Sequence, residues 1–104
     1  MMKDFCVLFC TTSLEESEKI ARILVEERLA ACVNVADVNS YFRWKEELFR
    51  DREALLIIKT EKSKVNMIIE RIREVHSYEV PEIIALPIVA GYDKYLAWIE
   101  ASLG

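Results

Sequence analysis

The chain has 104 residues, the size of one ordinary domain. Hydrophobic residues make up 53% of it and charged residues 31%, with 2 glycines and 2 prolines, which excludes a disordered or low-complexity protein. The net charge of -4 and the scattered basic residues argue against nucleic acid as a partner, because phosphate binding needs clustered Lys and Arg. No apolar stretch reaches the ~18–20 residues of a membrane span, and the chain start lacks a signal-peptide pattern.

Residues 3–12 predict the first strand, because a short run of β-branched, aromatic and Cys residues is typical of a strand buried on both faces. The sequence Ser13-Leu14-Glu15-Glu16 then has the S-x-x-E form of a helix capping box. The predicted helix ends near Leu29. The residues on its inner face are Leu14, Ser17, Ala21, Leu24 and Arg28, flanked by Ile20, Ile23 and Val25.

A long β-hairpin follows, with strands over 30–44 and 48–60. Residues 45–47 form the predicted turn, although they lack the Gly or Asn that such turns favour. The second strand ends in a continuous apolar run over 54–58, so we expect the hairpin to be buried at its base. Its tip projects the aromatic residues Tyr41, Phe42 and Trp44.

Ser63 is the predicted cap of a second helix, whose apolar residues at helical spacing are Val65, Ile68, Ile69, Ile72 and Val75. A loop over 76–81 and a strand over 82–90 come next, and Pro87 within that strand indicates a sheet edge or a bulge. Gly91 ends the strand and Asp93 caps a last helix. The residues expected on the inward face of that helix are Tyr92, Tyr95, Leu96, Ile99 and Leu103.

This order of elements, β-α-β-β-α-β with a C-terminal helix, predicts one α+β domain over 1–104 with a ferredoxin-like antiparallel sheet. Both crossover helices then lie on one face of the sheet. The other face is also rich in apolar residues and has no second helical layer to cover it. We therefore expect another copy of the chain to cover it.

Cysteine usage indicates the compartment of the protein. The three cysteines, Cys6, Cys10 and Cys32, are odd in number and lack C-x-x-C spacing. Free thiols in a reducing cytoplasm explain this pattern better than disulfides do. We expect a cytoplasmic protein.

The same cysteines and His76, the only histidine, are the candidate ligands for a copper-class ion, since thiolate and imidazole suit such metals. Cys6 and Cys10 are ~13 Å apart along a strand and cannot share an ion whose bonds to sulfur are ~2.3 Å. Cys10 is expected to be exposed at the strand end, whereas Cys6 and Cys32 are expected to be small buried hydrophobes. The alternative for His76 is a helix C-terminal residue that interacts with the helix dipole.

The aromatic residues of the hairpin tip allow two interpretations, a ligand-stacking platform or packing against a neighbouring subunit, and the second is favoured. Tyr95 and Trp98 recur at core spacing on the last helix and are expected to be structural. Ser13, His76 and Asp93 do not suggest a hydrolase, because the G-x-S-x-G context is absent and Ser13 has a capping role. We expect no enzymatic activity.

Several segments together resemble the CutA divalent-cation-tolerance family along essentially the whole chain. The most specific are R-L-A-A-C-V-N at 28–34 and H-x-Y-E-V-P-E-I at 76–83. The others are C-T-T at 10–12, S-Y-F-R-W at 40–44, E-x-x-L-x-x-K-T at 53–60 and P-I-x-x-G-x-x-x-Y-L-x-W-I at 87–99. At the hairpin tip the chain departs from the family form S-x-Y-x-W-x-G, with Phe42 in place of Tyr and Glu46 in place of Gly.

The resemblance implies a homotrimer related in architecture to PII signalling proteins, with a role in tolerance to copper and other divalent metals. It also implies a copper site at the positions of Cys10, His76 and Glu82. Glu82 has an alternative interpretation as a solvated or salt-bridged carboxylate. A second function stays open, in which a PII-like regulatory or scaffold trimer senses a small ligand in clefts between subunits and metal binding is incidental.

Overall fold

The computed structural model describes residues 4–104 and has the predicted element order with its C-terminal helix. Residue 3 of the first predicted strand lies outside the described residues. The strands are β1 (Phe5–Thr12), β2 (Cys32–Trp44), β3 (Glu47–Glu61) and β4 (Ile83–Pro87). The helices are α1 (Ser17–Glu26), α2 (Val65–Val75) and α3 (Asp93–Ser102), and a short 3-10 turn, Lys62–Lys64, precedes α2.

The four strands form one antiparallel sheet in the order β2-β3-β1-β4. The connection through α1 joins β1 to β2 across β3, and the connection through α2 joins β3 to β4 across β1. These are the two interleaved β-α-β units of a ferredoxin-like fold. The predicted α+β class is therefore confirmed.

The main core lies between the sheet and the two crossover helices. Burial alternates along β1, so its helix-facing side chains are buried and the others half-buried, which corrects the expectation of burial on both faces. The core residues are Cys6, Leu8, Cys10, Ile20, Leu24, Ala30, Leu56, Ile58, Ile68 and Ile72. Burial of Cys6 confirms its prediction, whereas Cys32 is half-buried.

The predicted capping box at the start of α1 is present. The Glu16 N–H donates to Ser13 Oγ at 3.2 Å, and the Ser13 N–H donates to Glu16 Oε2 at 3.4 Å. Regular helix nevertheless begins at Ser17, after a turn. Leu14, assigned to the inner face, lies in that turn and is 38% exposed.

Helix α1 ends at Glu26 rather than near Leu29, because Arg28 adopts a left-handed conformation with φ of 57°. The N–H groups of Leu29 and Ala30 both donate to the Leu24 carbonyl at 3.0 Å, which is a common way to end a helix. Arg28 is therefore beyond the helix and not on its inner face.

Helix α2 has the predicted amphipathic pattern, with Ile68 and Ile72 fully buried. The predicted cap is wrong, because the 3-10 turn inserts before the helix and α2 starts at Val65. The Ser63 hydroxyl instead donates to Glu61 Oε2 at 3.2 Å.

The last strand is shorter than predicted. β4 ends at Pro87, not at residue 90, and lies at the edge of the sheet beside β1, which confirms the edge position of this proline. Pro87 has no N–H to donate, which an edge strand tolerates, and one further backbone bond follows it, from the Ile88 N–H to the Phe5 carbonyl at 2.9 Å.

Helix α3 differs from the prediction at its start and on its exposed side. Asp93 is its first residue and provides no side-chain cap. Ile99 and Leu103 are buried in a second cluster with Phe5 and Ala31, as expected for an inward face. Tyr92 and Tyr95 are 70% and 41% exposed, and Trp98 is 46% exposed, so none of the three belongs to the core of this chain.

Within residues 4–104, only α3 covers the sheet face opposite α1 and α2, and it does so at one end. We call its apolar centre the open face. It consists of Val7, Phe9, Leu55 and Ile57, which are half-buried, and Ile84 and Leu86, which are 50% and 42% exposed. This arrangement matches the predicted uncovered face.

The hairpin turn has two residues, Lys45 and Glu46, both with positive φ (50° and 68°). Left-handed backbone costs a non-Gly residue about 1 kcal/mol, and Gly avoids most of that cost. We expect Glu46→Gly to raise the free energy of unfolding by about 0.5–1 kcal/mol in urea titrations. The matched control Glu47→Gly changes a neighbouring exposed residue in extended strand and should lower the free energy of unfolding. Stabilisation by both variants would contradict the explanation.

Candidate functional site

The three residues that the resemblance marks as ligands meet around Thr11, at the end of β1. The Cys10 thiol lies 3.7 Å from the Thr11 carbonyl oxygen, and His76 Nε2 lies 2.8 Å from the same oxygen. The Thr11 hydroxyl donates to Glu82 Oε1 at 3.5 Å. The fold therefore brings together residues that are 72 positions apart in the sequence.

Cys10 is not exposed as predicted. Its side chain is fully buried on the helix-facing side of the sheet, beside Leu56 and Ile83 on the neighbouring strands. Burial first, and then the negative charges of nearby carboxylates, raise the pKa of the Cys10 thiol to about 12. Metals bind the thiolate, so a buried and protonated thiol does not fit a preformed metal site.

His76 uses both ring nitrogens within the chain. Nε2 donates to the Thr11 carbonyl, while Nδ1 accepts the Tyr78 N–H at 3.1 Å, which assigns the neutral tautomer with its proton on Nε2. The His76 N–H also donates to the Ile72 carbonyl and ends α2. This geometry supports the alternative interpretation of His76 as a structural residue at the helix terminus.

Residues 76–82, which we call the site loop, are held by side chains that sequence reasoning missed. Glu16 accepts hydrogen bonds from the Ser77 N–H at 3.1 Å and the Ser77 hydroxyl at 2.6 Å, besides its bonds to Ser13. Burial raises the pKa of Glu16, but these hydrogen bonds outweigh burial and leave its pKa below the usual value. The capping box signalled one role of Glu16, and nothing in the sequence signalled the second.

Tyr78 attaches the site loop to β3. Its hydroxyl donates to Glu53 Oε2 at 2.6 Å, and Glu53 is 6% exposed. Burial and this hydrogen bond raise the pKa of the Tyr78 phenol. The rings of His76 and Tyr78 also contact each other, with centroids 4.6 Å apart.

A cleft of about 670 Å³ lies between the site loop and the aromatic part of the hairpin. Both carboxylates and aromatic rings line it, and the hairpin contributes Asp51 and Glu53 as well as most of the rings. The lining residues are Thr11, Ser40, Tyr41, Phe42, Trp44, Phe49, Asp51, Glu53, Tyr78, Glu79, Val80 and Glu82. Within residues 4–104, no group of three His, Cys, Asp or Glu side chains is placed to hold a metal ion.

The comparisons with known proteins agree with this fold. The chain belongs to the CutA1 divalent ion tolerance protein family, whose model matches residues 5–102. It is 44% identical over 99 residues to the divalent-cation tolerance protein CutA of Thermus thermophilus, covering 94% of this chain and 96% of that protein. The predicted family is therefore confirmed.

Two further relatives extend the comparison. The chloroplastic protein CutA of Arabidopsis thaliana is 45% identical over 89 residues, which cover 85% of this chain and 49% of that protein. The structure of the PII-like protein CutA from Nostoc sp. PCC 7120 in apo form is 31% identical with a TM-score of 0.91, covering 95% of this chain and 97% of that one. This chain spans about half the length of the plant relative.

The family is named for ion tolerance and not for a reaction. Among residues 4–104, no helix is long and apolar enough to cross a bilayer.

Proposed function

We propose that this protein is a cytoplasmic homotrimer that contributes to divalent-cation tolerance and binds copper-class ions weakly. The observation that supports assembly is the open face. Side chains such as Phe9, Ile57 and Ile84 form a contiguous apolar surface on the uncovered side of the sheet, and such surfaces mark protein interfaces. The number of subunits is what the sequence resemblance implies, and the name of the family supports the role in tolerance.

Weak metal binding follows from how the suspected ligands are placed. Cys10, His76 and Glu82 all adjoin Thr11, but the thiol is buried and both imidazole nitrogens are engaged. A copper-class ion has to displace at least one hydrogen bond of His76 before the ring can bind it. That cost lowers the affinity relative to a preformed site.

Native mass spectrometry tests the proposal on metal-free protein and then with graded Cu²⁺ and Zn²⁺. We expect a trimer that takes up a fixed number of copper ions, and we expect His76→Ala to lose that uptake while staying trimeric. The control Glu70→Ala removes an exposed carboxylate on α2 and should bind copper as the wild type does. Nonspecific adducts alone would contradict the metal site, and a monomer would contradict the assembly.

A second candidate function is a PII-like regulatory or scaffold trimer that senses a small ligand. The observation that favours it is the cleft, because about 670 Å³ suits a small molecule and greatly exceeds the needs of one metal ion. A ligand that raises the melting temperature of the trimer in the presence of a chelator would support this function. Stabilisation only by metal ions would contradict it.

A further inference from the structure

The two ring nitrogens of His76 are not equivalent toward a metal ion. Nε2 carries the proton and donates it to the Thr11 carbonyl oxygen at 2.8 Å, whereas Nδ1 has the lone pair and accepts the Tyr78 N–H at 3.1 Å. A metal ion binds a lone pair, and a histidine ligand usually donates its other ring N–H to a carbonyl or carboxylate. Nδ1 is therefore the nitrogen that suits an ion, and Thr11 already accepts the proton of the other nitrogen.

Tyr78 closes this position. Only Ser77 separates it from His76 in the chain, and the rings of Tyr78 and His76 lie in contact, with centroids 4.6 Å apart. Nδ1 of a neutral imidazole has one lone pair, so an ion cannot bind it while the Tyr78 N–H is bonded there. The backbone around Ser77 and Tyr78 has to move away before an ion reaches Nδ1.

Two carboxylates hold this part of the site loop in the closed position. Glu16, just before α1, accepts the Ser77 N–H at 3.1 Å and the Ser77 hydroxyl at 2.6 Å. Glu53 of β3 accepts the Tyr78 hydroxyl at 2.6 Å and is buried, so losing that donor is costly for the carboxylate. Hydrogen bonds to charged groups are stronger than neutral ones, and both anchors therefore favour the closed loop.

We infer that the site loop is an autoinhibitory segment of the metal site. A copper-class ion binds His76 Nδ1 only when Ser77 and Tyr78 leave Glu16 and Glu53, while Nε2 keeps its bond to Thr11. Tyr78 is then a positioning residue and not a ligand. The inference rests on the proposed metal binding and says what controls it, because the apparent affinity is the intrinsic affinity reduced by the fraction of open loops.

The affinity of the purified protein for Cu²⁺ tests the inference. Tyr78→Phe removes the hydrogen bond to Glu53 and keeps both the ring and the N–H, so it raises the fraction of open loops. We expect this variant to bind Cu²⁺ about tenfold more tightly than the wild type in titration calorimetry. Structural damage would weaken binding, so a gain in affinity is specific to release of the loop.

The control for Tyr78→Phe is Tyr41→Phe, which removes a phenol hydroxyl that accepts a hydrogen bond from Arg50 on the hairpin. It should bind Cu²⁺ as the wild type does. Unchanged or weaker binding by a folded Tyr78→Phe protein would overturn the inference.

Ser77→Ala tests the other anchor, and it replaces Tyr78→Phe should that variant fail to fold. It removes the hydroxyl bond to Glu16 and leaves the bond from the Ser77 N–H in place. We expect a smaller gain in Cu²⁺ affinity, about threefold, because half of this anchor remains. An affinity equal to that of the wild type would overturn the inference.

Amide hydrogen exchange shows which nitrogen of His76 binds the ion. Mass spectrometry with residue resolution measures exchange at the Ser77 and Tyr78 N–H groups, both of which are hydrogen-bonded in the closed loop. We expect saturating Cu²⁺ to accelerate exchange at both amides about tenfold or more. An ion bound to Nε2 would displace Thr11 and leave the Tyr78 amide protected, so unchanged exchange would overturn the inference.

Native mass spectrometry of the same samples separates this inference from the proposed function. Copper uptake without faster exchange at Tyr78 would overturn the inference and leave metal binding standing. Uptake by Tyr78→Phe alone would support the inference, because the wild-type loop then stays closed. No uptake by the wild type or by either loop variant would contradict the proposed metal binding, and the inference with it.

Discussion

Replacing Ile84 with lysine is expected to convert the assembled protein into single chains without unfolding them. Ile84 lies opposite Phe9 on the open face and is 50% exposed in the isolated chain, so a lysine there reaches water when the chain is alone. In an assembly that covers the open face, the ammonium is buried without a partner, which costs about 3–5 kcal/mol at each interface. Each 1.4 kcal/mol weakens association about tenfold, and native mass spectrometry at micromolar protein should show mostly monomer.

The control for this experiment is Met67→Lys, which adds the same charge at a methionine that is 48% exposed on α2. Met67 lies on the outer side of a helix and away from the open face, so the variant should assemble as the wild type does. Circular dichroism of both variants should match that of the wild type. An Ile84→Lys protein that stays trimeric would show that the subunits meet elsewhere.

The helices and strands lie close to where local sequence patterns predict them, because tertiary contacts do not override these patterns. The spacing of Ile68 and Ile72 on α2 places both on one helix face, and both are fully buried. Helix ends are less predictable, because competing local conformations differ by little free energy. Ser63 has a capping side chain, yet the chain forms a 3-10 turn there and the hydroxyl binds Glu61.

The burial of Cys10 can be predicted from the sequence. Side chains in a strand alternate between its two faces, and Cys10 has the same parity as Cys6 and Leu8. Assigning Cys6 to the core therefore assigns Cys10 to it as well. The expectation of an exposed thiol gave more weight to the strand end than to this alternation, and the site loop covers that end.

The contacts of the site loop could not be predicted, because they join residues far apart in the chain. His76, Ser77 and Tyr78 bond to Thr11, Glu16 and Glu53 respectively, and each partner belongs to a different part of the fold. The family pattern marks the histidine as a position of interest but does not show that both its nitrogens are engaged.

The largest expected loss of stability comes from Leu56→Ala. Leu56 is fully buried on β3, between Cys10 of β1 and Val35 of β2, at the centre of the layer that faces α1 and α2. Removing three carbon atoms there leaves a cavity that the rigid sheet cannot close, which lowers the free energy of unfolding by about 2–5 kcal/mol. Urea titrations at one fixed protomer concentration measure it, because the stability of an assembled protein depends on concentration.

Leu48→Ala is the matched control, because it makes the same chemical change at a residue of the same strand that is 73% exposed near the hairpin tip. In the single chain this variant should lose less than about 0.5 kcal/mol. A large loss for Leu48→Ala in the trimer alone would show that the hairpin tip is buried against a neighbouring subunit. Comparing the pair in the wild-type and Ile84→Lys backgrounds therefore separates the stability of the subunit core from that of the assembly, which no single variant can do.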